Sequence, residues 1–276
     1  MTEAMLTTLE TFYDAVPRDR ARVERIGPFD LFVRTGSDGH PFYARPALGA
    51  TGVTADDVAA VRARQRELGI PQAFEWVDET TPGLIGPAEA AGLAVQRAPL
   101  MVLPTGVVPE PTEPTAGVTV RLLDPDSPDF AADLAATHAV GNLAFAAHGT
   151  AVGGAGPAER DAVTAPVSAA QLAVEAELIR SGRHVRAVAV GPDGVVAIGM
   201  AQRVGAVAEI AGVGTLPSAR RRGLALALTN RLVRESLSAG TGLVFLAADS
   251  DDVARIYGRI GFRRTATACI AEPADA

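Results

Sequence analysis

The chain has 276 residues, 48% of them hydrophobic, which is room for one large or two modest domains with a sizeable core. Its net charge of -7 argues against a general nucleic-acid-binding face, and no apolar run is long enough for a membrane span. A single cysteine, Cys269, excludes an internal disulfide and a cysteine-based zinc cluster, so no metal is expected.

The opening stretch, MTEAMLTTLETFYDAVPRDR, carries acids before any apolar segment, unlike a secretory signal, and a cytoplasmic protein is expected. All basic side chains other than histidine are arginine, a usage that fits a GC-rich genome. Without lysine the Gly-Lys-Ser/Thr phosphate loop is excluded.

In chain order, TADDVAAVRARQRELG is patterned as a helix. GIPQAFEWVDETTPGLIGPAEAAGLAVQRAPLMVL follows as strand, short helix and strand. Phe74 and Trp76 on the first of these strands are expected in the core. PTGVVPEPTEPTA, with four prolines and no apolar periodicity, is expected to be an extended linker. The expected boundaries are therefore a domain over 1–103, a linker over 104–117 and a second domain over 118–276.

In the second part, GVTVRLLDP is patterned as a strand, and DFAADLAATHAVGNLAFAAHG and APVSAAQLAVEAELIRSG as helices. HGTAVGGAGPAERDAVT between the helices is a Gly-rich loop without obvious structure, and its part HGTAVGGAGPAER is expected to be flexible and able to close over a bound molecule. HVRAVAVG and VVAIGMAQRVG flank a Pro-Asp-Gly turn and make a hairpin. VAEIAGVGTL is a strand, LALALTNRLVRESLSAG a helix stopped at Gly240, GLVFLAAD a strand, DDVARIYGRIG a short helix and FRRTATACIAE the last strand, with Cys269 as a buried small apolar side chain. The order is mixed α/β.

GTGLVFLAADSDDVARIYGRIGFRRTATACIAE parallels the strand, helix and strand that start at Gly69. In both segments a strand ends in Asp, at Asp78 and Asp249, and a Gly, Gly92 or Gly261, precedes the final strand. An internal duplication accounts for this, with coincidence of two ordinary units as the alternative. The first copy has Thr54, Asp56 and Asp57 where an anion would have to sit, so it carries no phosphate site.

The most informative stretch is VAEIAGVGTLPSARRRGLALAL. A strand runs through a short turn into a helix whose first N–H groups have no partner within the helix, and whose dipole adds positive charge there. Arg220, Arg221 and Arg222 stand at that end, where the dipole disfavours cations and an ordinary sequence places Asp or Glu. Gly223 allows close backbone approach and Ala225 is small, as a phosphate cradle requires. The dinucleotide fingerprint fits less well, because Pro217 follows Gly212 and Gly214 where a third Gly is needed.

Arg220-x-x-Gly223-x-Ala225 after a strand, with Ala254, Tyr257, Gly261 and Phe262 some thirty residues on, resembles the GNAT superfamily of acetyl-CoA-dependent N-acyltransferases. The resemblance covers about residues 118 to 270. It implies a mixed, mostly antiparallel sheet flanked by helices, in the tandem form if the first domain is a degenerate copy. It also implies acetyl-CoA as donor and an amine acceptor, with a small molecule preferred over a protein amine, in a monomer or homodimer. Backbone groups of Val213, Gly214 and Thr215 would pair with the pantetheine arm. The amides of Arg221, Arg222, Gly223, Leu224, Ala225 and Leu226 would hold the pyrophosphate. Ser250 stands where many members have an Asn that contacts the arm.

Tyr257 is the candidate acid: a phenol of pKa about 10 can hydrogen-bond to a thiolate of pKa near 8.5 and protonate it as it leaves, and the resemblance points the equivalent Tyr at the sulfur, against a core aromatic as the alternative. Glu209, flanked by apolar residues in VAEIAG, is a candidate base through a raised pKa, against a solvent-facing or arginine-paired glutamate. His138 and His148 flank a helix end in the expected acceptor region. A sensor that binds acetyl-CoA without turnover is the alternative function.

Overall fold

The computed structural model describes residues 3–36 and 41–274. The chain forms two units: residues up to Leu100 together with those from Thr265 onward, and Met101–Arg264 between them. The terminal residues 1, 2, 275 and 276 of the expected domains lie outside the described residues.

The first unit contains α1 (Glu3–Arg18), β1 (Ala21–Ile26), β2 (Phe29–Arg34), β3 (Ala44–Pro46), α2 (Ala55–Glu67), β4 (Phe74–Val77), α3 (Ile85–Ala90) and most of β5 (Leu93–Val102). β1, β2 and β3 form an antiparallel meander, and β3 and β4 pair in parallel. One face of this sheet buries Phe29, Leu31, Phe74 and Trp76 with Val58 and Val61 of α2. The expectation for Phe74 and Trp76 is met, each being fully buried. α2 starts with a reciprocal cap: the Asp57 N–H donates to Thr54 Oγ1 (3.2 Å) and the Thr54 N–H to Asp57 Oδ2 (2.9 Å). Those hydrogen bonds from Thr54 hold the Asp57 carboxyl below its usual range. A helix start closed by its own carboxylate has no use for an anion.

The second unit contains β6 (Thr119–Leu122), α4 (Phe130–Ala146), α5 (Pro157–Val163), α6 (Ala169–Arg180), β7 (His184–Gly191), β8 (Gly194–Val204), β9 (Val207–Thr215), α7 (Leu224–Ser238), β10 (Leu243–Ala247) and α8 (Asp251–Gly258). β11 (Arg263–Pro273) is the last of the described elements. In this unit the strand order is β10-β9-β8-β7-β6. All neighbours are antiparallel except β9 and β10. The elements follow the same order in both halves: antiparallel strands, a helix, a parallel strand, a short helix and a last strand. The mixed sheet flanked by helices is the expected fold class.

The boundaries differ from those expected. The expected second domain includes β11, but the residues of β11 from Thr265 onward belong to the first unit, where Ala268–Ala271 pair with Val77–Phe74 of β4. Cys269 is buried in that unit's core, and burial pushes its thiol up to about 12. The proline-rich segment from Pro104 also belongs to the second unit, fastened along α7. Arg234 Nη1 donates to the Pro109 carbonyl (2.6 Å) and the buried Asn230 amide to the Glu110 carbonyl.

α7 buries Leu224, Leu228, Leu232 and Ser236, one face at helical spacing, against the sheet. Gly240, at φ 87°, ends it in the left-handed conformation expected of a stop. α5 falls inside the segment expected to be an unstructured loop. It starts with Pro157 and is held by the buried Arg160, whose guanidinium donates to the carbonyls of Asp193 and Val195 at 2.7 and 2.6 Å.

Candidate active site

The turn between β9 and α7 is compact and left-handed at two points. A 3₁₀ turn over Pro217–Ala219 leads into Arg221 at φ 63° and Gly223 at φ 75°. Gly223 caps α7 without any side-chain acceptor, and no acidic residue stands in the first turn. The first helical bond runs from the Ala227 N–H to the Gly223 carbonyl, 3.0 Å. The N–H groups of Leu224, Ala225 and Leu226 therefore have no acceptor within the helix. A Cβ built on Gly223 would meet nothing within 4 Å, so the space before the helix is open. Successive N–H groups presented by left-handed backbone beside a helix start form an anion-binding concavity.

The three arginines are not equivalent. Arg220 is half-buried, and its guanidinium donates to the carbonyls of Ala144 (2.9 Å), Ala147 (2.6 Å) and Ala151 (3.2 Å). It ties the C-terminal end of α4 to the turn, so its head group is already engaged. Arg221 and Arg222 are exposed, and no carboxylate pairs with either among the described residues. The glycine-rich segment after α4 closes on the turn as well. The Gly153 N–H donates to the Pro217 carbonyl (3.1 Å) and the Ser218 N–H to the Ala155 carbonyl (2.9 Å). A Cβ on Gly156 would stand 2.6 Å from Ser218 Oγ, which explains a glycine there. The segment expected to be a mobile lid is a fastened support of the turn.

β9 carries the second feature. Its parallel ladder with β10 joins Val207, Ala208 and Glu209 to Leu243, Val244 and Phe245, and stops there. On the other side β9 stays paired with β8 to Thr215, with an irregularity where Gly212 and Val213 oppose the single residue Gly199. Gly212 takes φ 60°, as such bulges require. The backbone from Ile210 to Thr215, including Val213, Gly214 and Thr215, thus has an unpaired edge facing β10, which can accept an extended chain of amides.

Directly opposite residues of paired strands project from one face. His184, Gln202 and Glu209 form one row, Arg186, Met200 and Ala211 the next, and Val188, Ile198 and Gly214 a third. α4 covers the third row, since a Cβ on Gly214 would stand 3.0 Å from Ala144 Cβ. α6 covers the β7 end of the first two rows through Glu175. Its Oε1 is 2.9 Å from His184 Nδ1, and its Oε2 accepts from Arg186 Nη2 at 3.0 Å. Burial pushes the Glu175 carboxyl up, but the bonds from His184 and Arg186 outweigh it and leave the group at about 2. Met200, Gln202 and Glu209 lie on inner strands yet are only half-buried. The helical layer is open above them.

Tyr257 lies on α8, its ring buried edge-on against Phe262 at 6.4 Å. Burial pushes its phenol up to about 12. Its hydroxyl has no hydrogen-bond partner among the described residues. Ser250 caps α8, its Oγ accepting from the Val253 N–H at 3.4 Å. His138 and His148 are exposed, His138 in mid-helix on α4 rather than at its end. No helix among the described residues is long and apolar enough to cross a membrane, and no cluster of potential metal ligands occurs among them. Gln202 and the Glu175 cluster escaped the sequence reading, because only strand register brings them beside Glu209.

The GNAT acetyltransferase domain model matches residues 198–265, from mid-β8 through the turn and α8 into β11. Among solved structures, a GCN5-related N-acetyltransferase from Kribbella flavida is similar at 22% identity and TM-score 0.70, covering 98% of this chain and 95% of that one. A GCN5-related N-acetyltransferase-like protein from Streptococcus suis is similar at 14% identity and TM-score 0.55, covering 98% and 99%. A functionally unknown conserved protein from Staphylococcus epidermidis is similar at 15% identity and TM-score 0.55, covering 95% and 97%. No curated protein matches the sequence. Residues 198–265 carry the GNAT acetyltransferase signature, and the chain has the GNAT fold.

Proposed function

We propose that this protein transfers an acetyl group from acetyl-CoA directly to a primary amine of a small molecule. The observation that carries the reading is the uncapped start of α7. Two left-handed residues, three N–H groups without a helical acceptor and two exposed arginines meet there, with no carboxylate paired to those arginines among the described residues. In this reading the amides from Arg221 to Leu226 hold the pyrophosphate of the donor, with Arg221 and Arg222 adding charge and Arg220 fixing the turn. Val213 and Thr215 pair with the pantetheine arm along the open edge of β9, and the Val213 N–H polarises the thioester carbonyl.

The amine nitrogen attacks the thioester carbon, the C–S bond breaks, and the ammonium proton must leave. Glu209, on the open face of β9, receives it directly or through water. A phenol near 12 does not give its proton fully to a thiolate near 8.5, a step uphill by about 5 kcal/mol. Tyr257 therefore acts chiefly by donating a hydrogen bond to the sulfur as charge develops there. Ser250, engaged in capping α8, contributes little beyond placing that helix. The first unit is read as a degenerate copy with no donor site, in keeping with the closed cap on α2.

The test is thiol release from acetyl-CoA with a panel of small amines. Amine-dependent release that falls in Glu209→Ala and Tyr257→Phe variants supports the reading. Tight CoA binding without turnover on any amine would mark a sensor instead.

A further inference from the structure

Gln202 is an anomaly in the core sheet. It sits on β8, an inner strand, directly opposite His184 on one side and Glu209 on the other. Its face is half-exposed where the helical layer is open, and its amide makes no hydrogen bond among the described residues. The neighbours at the far end of the row are committed, because His184 is buried against Glu175. A glutamine amide offers an acceptor oxygen and two donors, and at this half-exposed position they are available to a bound molecule in place of water. Side chains directly opposite on paired strands start roughly 5 Å apart, so one small molecule can touch both Gln202 and Glu209.

Resting on the assignment of Glu209 as the proton acceptor, we infer that Gln202 is a specificity residue for the acceptor. The acceptor is a primary amine with a hydroxyl or carbonyl oxygen three or four bonds from the nitrogen, as in amino alcohols and amino sugars. Glu209 faces the nitrogen and the Gln202 amide hydrogen-bonds the oxygen. A simple alkylamine fills the same space but leaves the amide unmet, which is the stronger form of discrimination available to a polar site.

The experiment compares 2-aminoethanol with propylamine, which have the same number of heavy atoms, in wild type and in Gln202→Leu and Gln202→Asn variants. The ratio of kcat/KM for the two amines, divided between wild type and variant, cancels their different basicities. The expected result is a wild-type preference for 2-aminoethanol that falls at least fivefold in Gln202→Leu, mainly through KM. Propylamine turnover and acetyl-CoA KM stay unchanged. An unaltered ratio in both variants, with turnover intact, overturns the role of Gln202 and leaves acetyl transfer standing. Should wild type acetylate neither amine, the transfer reading rests on the wider amine panel, and saturation-transfer NMR of 2-aminoethanol on CoA-loaded protein decides the inference. A wild-type signal lost in Gln202→Leu supports it; equal signals, or none in wild type, overturn it.

Discussion

Glu209 and Phe245 are the last pair of the parallel ladder between β9 and β10; beyond them the two strands part. The edge left open on β9 from Ile210 to Thr215 is where the donor's amide-bearing arm is proposed to lie. Hydrogen exchange tests this directly. Adding acetyl-CoA is expected to slow exchange within Ile210–Thr215 and to leave Val207–Glu209, already paired on both sides, unchanged. Equal protection of both segments would contradict the assignment.

Arg220 and its two neighbours should separate in their effects. Arg220→Ala leaves the carbonyls of Ala144 and Ala147 without their charged donor and should cost about 2 kcal/mol, read as a fall in Tm of several degrees. Arg222→Ala should leave Tm unchanged and weaken acetyl-CoA binding, most visibly at low salt. Arg221→Gly should cost no stability, since φ 63° disfavours any side chain, yet should weaken binding in the same way. Equal behaviour of the three in thermal melts would contradict the division.

Tyr257→Phe keeps the ring that packs on Phe262 and removes only a hydroxyl with no hydrogen-bond partner among the described residues. Tm should change little, while kcat falls ten- to a hundredfold at unchanged acetyl-CoA KM. Because burial holds the phenol at about 12, its ionisation should not reduce the wild-type rate below about pH 11. A pH–rate profile with a Tyr-dependent loss near pH 10 would show that the phenol is not so held.

Acid stability follows from Glu175. Burial raises its pKa, but the bonds from His184 and Arg186 bring it to about 2, below the usual value near 4.3. A group depressed in the folded state stabilises above its unfolded pKa, and that stability is lost as pH falls from about 5 towards 2. With the carboxyl at about 2, the contribution at neutral pH is on the order of 3 kcal/mol. Glu175→Gln should lower Tm at pH 7 and flatten the fall of Tm between pH 5 and 3, measured by calorimetry.

Much of this was legible in the sequence because it is local. The hairpin at Pro192–Asp193, the long helix ending at Gly240 and the arginine–glycine turn each declare themselves within a dozen residues, and the structure has them in place. What was not legible depends on long-range pairing. No local signal tells β11 to pair with β4, nor Arg220 to turn back onto α4 some seventy residues earlier. The glycine-rich segment reads as a flexible loop because composition reports backbone freedom and not the carbonyls and N–H groups that use it up. Gln202 meets Glu209 only through the register of β8 on β9, which no spacing in the sequence encodes.

The central claim is that the start of α7 binds the pyrophosphate of acetyl-CoA. Calorimetric titration of acetyl-CoA into wild type and Gly223→Glu protein tests it most directly. Gly223 has φ 75° and open space before it, so a glutamate there puts a carboxylate where the anion would sit. The account predicts saturable binding to wild type and none detectable to a Gly223→Glu variant whose circular dichroism shows it folded. Wild-type affinity in that folded variant would contradict it.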